Sequence, residues 1–258
     1  WPLRPPTICP PGAQPVAHHA GATGLLVLHG FTGSPWEVRP LCDAAIARGW
    51  SVACPVLPGP APTVHALDHV RWADWLAAAQ LAHQWLAKRC DTVHLAGFSM
   101  GALLATLVAE RAPPASGRRL ALLAPAFALG LPQTLALRAL GAVGWHRVLG
   151  KADPRLPDGQ RPPCYHAVPV AGTLQFLALL GHVTAQPRAL AGAVWTLHGT
   201  RDRTIDAQLA RKAVAHTLGD RVAHRTIDGG HLLLRDTCAA QAIALTMAFL
   251  DGRAGAGR

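Results

Sequence analysis

The chain has 258 residues, half of them apolar, which suits one α/β domain with an insertion or two small domains. No apolar run is long and clean enough to span a membrane; Leu131 to Leu149 is broken by Pro132, Gln133, Arg138, Gly141, Gly144 and His146. The formal net charge is +10, but the Lys and Arg residues are scattered without a basic run or aromatic interleaving, which argues against a nucleic-acid partner and for an arginine-rich surface.

Residues 1–24 are rich in Pro, Gly and His and read as a lead-in, with one edge strand around Gln14 to His18. The pair His18-His19 has no partner at metal-ligand spacing and reads as solvated. The N-terminus has no apolar h-region and no initiator Met, and looks trimmed. The expected location is the cytoplasm, with an exported compartment left open. Leu25 to Leu28 is a short apolar run that reads as a central strand buried on both faces. It ends in His29-Gly30-Phe31-Thr32-Gly33-Ser34-Pro35, a glycine-rich loop able to turn backbone N–H groups toward a ligand. Trp36 to Arg48 follows as a helix closed by Gly49. Trp50 to Val56 is the next strand, ended by the rigid loop Leu57-Pro58-Gly59-Pro60-Ala61-Pro62. Leu67 to Arg89 reads as one long helix, with Trp72, Trp75, Leu76, Ala79 and Leu86 near helical spacing as packing residues.

Val93 to Ala96 is another buried strand, followed by Gly97-Phe98-Ser99-Met100-Gly101 and then by Ala102 to Glu110, a good helix former. Strand, glycine-flanked serine and helix is the layout of a nucleophile elbow. The turn is so sharp that side chains two residues to either side of the serine would clash, hence Gly97 and Gly101. Arg119 to Ala124 is a strand ended by Pro125. Residues 126–190 break the rhythm with Pro132, Pro154, Pro157, Pro162, Pro163, Pro169 and Pro187 between Leu- and Ala-rich stretches, and read as an inserted lid of short helices. The lid's apolar residues, among them Leu129, Leu135, Phe176 and Leu180, pack on the main domain or line a pocket for an apolar substrate group.

The rhythm resumes with the strand Ala193 to Leu197, the loop His198-Gly199-Thr200-Arg201-Asp202 and a helix from about Asp206 to Thr217. Arg221 to Ile227 is the last strand, followed by Asp228-Gly229-Gly230-His231 and a closing helix over about Thr237 to Leu250. The tail, 251–258, is glycine-rich and reads as flexible. The expected organisation is therefore an α/β core over 25–125 and 191–250, with the lid between. Its sheet is mostly parallel, with helices on both faces. Six cysteines lie far apart with no C-x-x-C pair, so structural zinc is not expected. Cys42, Cys54, Cys90 and Cys238 fall in apolar patterns and read as free buried thiols. Cys9 and Cys164 lie in proline-rich loops and could be bridged in an oxidising compartment.

A serine hydroxyl is a poor nucleophile at neutral pH and needs a base, which an acid must hold in one tautomer. Loops at the ends of later strands supply both: Asp202 as the acid and His231 as the base. The order Ser99, Asp202, His231 is that of α/β hydrolases, not of the chymotrypsin or subtilisin folds. His198 is the rival base, but it precedes Asp202 by too little to meet Ser99. Asp206 is the rival acid and reads as a helix cap; Asp228 is a weaker rival. A tetrahedral intermediate needs preorganised donors for its oxyanion, and the backbone N–H groups of Met100 and Phe31 are the candidates.

The segments Leu28 to Ser34, Gly97 to Gly101, His198 to Asp202 and Gly229 to His231 together resemble the four signatures of the small bacterial carboxylesterases and monoacylglycerol lipases of the α/β-hydrolase fold. The resemblance runs from about Leu25 to Leu250. It implies a serine esterase with a small lid, cleaving esters of short to medium acyl chains or monoacylglycerols through an acyl-enzyme on Ser99, with no cofactor and no metal. One departure is visible: the family commonly has Leu-Pro-Gly-His-Gly where this chain has Leu57-Pro58-Gly59-Pro60-Ala61. The absent histidine lies outside the triad, so the expected effect is on the pocket beside that loop. The partner expected is a small-molecule ester. The competing readings are a thioesterase, amidase, perhydrolase or acyltransferase of the same fold, and a non-catalytic binding protein. The oligomeric state is not written in the sequence.

Overall fold

A computed structural model describes residues 12–59, 64–115, 117–130, 134–136, 139–140, 148–150 and 167–253. The first part of the lead-in, Cys9, Cys164, Pro60, Ala61, several stretches of the expected lid and the tail from residue 254 lie outside the described residues.

The main sheet has seven strands. In chain order they are β1 (Val16–His18), β2 (Thr23–Leu28), β3 (Ser51–Cys54), β4 (Thr92–Phe98), β5 (Arg119–Leu123), β8 (Ala193–Gly199) and β9 (Ala223–Ile227). Between β5 and β8 in sequence, β6 (Val148–Gly150) and β7 (Ala167–Pro169) form a separate antiparallel pair. The spatial order is β1-β3-β2-β4-β5-β8-β9. Only β1 runs antiparallel, against β3 at one edge; the other neighbours are parallel. Parallel neighbours need crossovers, and the helices supply them. These are α1 (Pro35–Ile46), α2 (Trp72–Ala87), α3 (Met100–Arg111), α4 (Val170–Thr184), α5 (Ala207–Leu218) and α6 (Ala239–Leu250).

The alternation of strand side chains divides the core into two layers. Leu25 and Val27 of β2 pack with Ala96, Leu123, Val38 and Leu41 of α1, and Met247 and Leu250 of α6. Leu26 and Leu28 turn the other way, toward Trp75 and Leu86 of α2, Leu103 and Leu107 of α3, Leu179 of α4 and Val214 of α5. A strand covered on both faces has no use for polar alternation, which is why Leu25 to Leu28 reads as an unbroken apolar run. Each such leucine, fully removed from water, contributes on the order of 2 kcal/mol. Among the described residues no helix is long and apolar enough to cross a membrane.

The expected helix from Leu67 to Arg89 is not continuous. A 3₁₀ turn over Val64–His69 precedes α2, which starts only at Trp72. The local chemistry sets the break: Arg71 is extended, and its N–H donates to the Asp74 side chain at 2.8 Å, so Asp74 caps a new helix instead of continuing an old one. Of the segment expected as a lid, α4 is seated firmly on the main body. Leu179 and Val183 are fully buried. The Arg188 guanidinium donates to the carbonyls of Val183 (2.8 Å) and His182 (2.6 Å) at the end of α4, and pairs with Glu110 of α3 at 2.5 Å.

Candidate active site

Ser99 stands between β4 and α3 with φ 54° and ψ −116°, a conformation L-residues rarely adopt. The glycines around it are there for space. A Cβ on Gly97 would lie 2.6 Å from the Cα of Ala102, and one on Gly101 would lie 2.7 Å from the carbonyl oxygen of His29. The turn is tied to the sheet, since the Ser99 N–H donates to Leu123 O at 2.9 Å and Ser99 O accepts from Ala126 at 3.3 Å. The hydroxyl is therefore held at the carboxyl edge of the sheet, ahead of α3.

His231 and Asp202 arrive from loops after β9 and β8. Nε2 of His231 lies 3.1 Å from Ser99 Oγ, and Nδ1 lies 2.7 Å from Asp202 Oδ2. The carboxylate accepts only, so Nδ1 is the donor and Nε2 is left with a lone pair facing the serine. Oδ1 of Asp202 accepts the N–H groups of Thr204 (2.7 Å) and Ile205 (3.0 Å). Burial works against the charge on Asp202, but the hydrogen bond from His231, the imidazole beside it and those two amides outweigh it. The carboxyl is held below its ordinary value.

The rivals stand elsewhere. His198 is buried, and burial pushes its pKa down to about 4; its ring nitrogens have no hydrogen-bond partner among the described residues. Asp206 caps α5 by accepting from Gln208 and Leu209. Asp228 pairs with Arg201 at the surface. His19 donates to or accepts from Ser51 Oγ at 3.1 Å, and no cluster of metal-ligating side chains occurs among the described residues.

The two candidate oxyanion amides sit on adjoining backbone. Met100 opens α3, where the N–H groups of the first turn have no carbonyl within the helix. The loop after β2 abuts this turn, as the tight fit of Gly101 against the carbonyls of Leu28 and His29 shows. Phe31 follows in that loop, and the carbonyl at the far end of its own peptide, Gly30 O, accepts from Gly33 N–H at 3.2 Å and lies 2.9 Å from His29 Nδ1. The Phe31 ring stacks on Phe176 of α4 (5.4 Å between centroids) and meets Trp75 edge-on at 5.7 Å.

Three supporting residues carry no obvious signal as site residues. His29 is buried, and burial lowers its pKa to about 4, against the bond to Gly30 O that opposes it. Its Nε2 accepts from Leu57 N–H at 3.0 Å, which joins the loop after β2 to the one after β3. Asp236 accepts the Gly230 N–H at 2.5 Å, one residue before His231. Burial opposes its charge, but the amides of Gly230 and Thr237 prevail and hold its carboxyl low. Arg235 stacks on the Trp36 ring at 4.0 Å and donates through Nε to Trp36 O at 2.9 Å, tying the histidine loop to α1. Cys42, Cys54 and Cys238 are buried free thiols, and Cys90 is half-buried.

Residues 25–244 match a family model described as the alpha/beta hydrolase family. A thermostable monoacylglycerol lipase from Bacillus sp. (strain H-257) is 32% identical over 179 residues, which is 68% of this chain and 68% of that protein. Among solved structures, a chain described with LipS and LipT, two metagenome-derived lipolytic enzymes, aligns with a TM-score of 0.82 at 22% identity, covering 95% of this chain and all of that one (100%). The Paleococcus ferrophilus monoacylglycerol lipase aligns with a TM-score of 0.74 at 16% identity, over 93% of this chain and 98% of its own.

Proposed function

The chain belongs to the alpha/beta hydrolase family, and on that premise we propose that it is a serine hydrolase of carboxylic esters, acting through Ser99, His231 and Asp202. The observation that carries the reading is the unbroken hydrogen-bonded line from Ser99 Oγ through His231 to Asp202. His231 takes the serine proton as Oγ attacks the ester carbonyl, and Asp202 stabilises the imidazolium that forms. The amides of Met100 and Phe31 receive the oxyanion. His231 then protonates the departing alcohol, leaving an acyl group on Ser99. Water, deprotonated by the same imidazole, releases the acid in the second half.

The substrates proposed are esters with short to medium acyl chains, or monoacylglycerols. Support comes from the monoacylglycerol lipase that is 32% identical and from the aromatic wall of Phe31, Trp75 and Phe176 beside the loop. The test is p-nitrophenyl ester turnover by the wild type and by Ser99→Ala, with an acyl-chain series and matched thioester and amide substrates. Ser99→Ala should lose on the order of 10⁴-fold or more in kcat. Retention of most of the turnover would overturn the reading, and a preference for the thioester or amide would redirect it.

A further inference from the structure

Glu37 is a carboxylate that the hydrolytic scheme does not use, yet it sits inside the loop that bears one of the two oxyanion amides. It is the third residue of α1 and only 6% exposed. Its Oε2 accepts the N–H of Gly30 at 3.1 Å. The loop is shaped around it, for a Cβ on Gly33 would lie 2.5 Å from Glu37 Oε1. Ser34-x-x-Glu37 is the pattern of a capping box, but this carboxylate reaches beyond the helix, back to the residue that precedes Phe31. Burying a charge costs stability, and the positive end of α1 offsets part of that cost.

We propose that Glu37 is a positioning residue for ester hydrolysis: by anchoring Gly30 it sets the direction in which the Phe31 N–H points. The inference rests on the reading of Phe31 as an oxyanion donor. Glu37 fixes the nitrogen side of Gly30, while Gly33 N–H and His29 Nδ1 hold its carbonyl. With a trans, planar peptide, those restraints leave the next amide little freedom. An oxyanion donor acts in the transition state and not in the ground state, so its misalignment falls on kcat.

The experiment compares Glu37→Ala, Glu37→Gln and Glu37→Asp in the full chain. Active sites are titrated with a fluorophosphonate, and kcat and KM are measured on p-nitrophenyl butyrate beside thermal melting. Glu37→Ala should lower kcat per titrated site by about 10- to 100-fold, with KM within about twofold. Glu37→Gln, which keeps an oxygen acceptor of the same shape, should restore most of it. Glu37→Asp keeps charge at the start of α1 but is a methylene short of Gly30, so it should behave like the alanine variant. Normal kcat per titrated site in Glu37→Asp, with only a lowered melting temperature, would make Glu37 a helix cap and overturn the proposal. Should Glu37→Ala fail to fold, the Asp and Gln pair decides alone. Failure of the underlying hydrolase reading is seen separately, as turnover surviving in Ser99→Ala.

Discussion

Two oxygens of one side chain decide which proton His231 carries. Oδ1 of Asp202 is occupied by the amides of Thr204 and Ile205, and Oδ2 faces His231 Nδ1. In Asp202→Asn the oxygen would stay with those two donors, and the amide nitrogen would then face Nδ1. An NH₂ group can only donate there, so Nδ1 becomes the acceptor and Nε2 carries the hydrogen toward Ser99. That tautomer cannot accept the serine proton. Asp202→Asn should therefore fold normally yet lose on the order of 10⁴-fold in kcat near neutral pH. A loss under about tenfold by ester assay would show that the imidazole is oriented by something else. Gly101 poses a steric question at the same scale. Its replacement by Ala would press a Cβ into the carbonyls of Leu28 and His29, so Gly101→Ala should lose soluble yield or melt lower, with a cost of about 1–3 kcal/mol.

Whole elements respond to ties that bridge distant parts of the chain. Arg188, with 4% of its side chain exposed, holds the last carbonyls of α4 and pairs with Glu110 of α3. Arg188→Ala strands those carbonyls, while Glu110, exposed at the surface, can turn to water, so it should destabilise the protein by about 1–3 kcal/mol, seen as a lower urea midpoint. Faster amide exchange confined to α4 would accompany it; unchanged exchange would show that packing of Leu179 and Val183 suffices. Such ties also explain what was legible in the chain. The elbow reads directly because its requirement is local: glycines two residues to either side of Ser99, between a strand and a helix. The apolar runs Leu25–Leu28 of β2 and Leu120–Leu123 of β5 read directly because burial on both faces removes polar positions. The start of α2 after Arg71 did not, since it depends on which way the Asp74 side chain turns. The seating of α4 did not either, because Arg188 meets α3 and α4 only in three dimensions. Glu37 is not singled out: Ser34-x-x-Glu37 is a pattern of a helix start and is silent about Gly30. Asp236 has no sequence signal of its role, which exists only through the amide before His231.

The molecule as a whole carries buried histidines that it must keep neutral. His29, His83, His94 and His198 are all buried, and each is pushed down to about 4, mainly by burial. In the unfolded chain the same side chains titrate near their ordinary value of about 6.5. Between those two pH values the unfolded state binds more protons than the folded one, so stability rises with pH there. The contribution is complete above pH 6.5 and lost as the pH falls toward 4. Each histidine adds up to about 1.4 kcal/mol per pH unit to the slope inside that window. The lowered carboxyls of Asp202 and Asp236 act further down, since their contribution is full above the ordinary carboxylate value and lost only below it. The protein should therefore weaken steeply from about pH 6.5 downward, well before carboxylate titration could account for it. Urea midpoints measured at half-unit steps from pH 8 to pH 4.5 test this. A flat profile from pH 7 to pH 5 would mean that the buried imidazoles gain protons without unfolding the chain, by opening toward water where they stand.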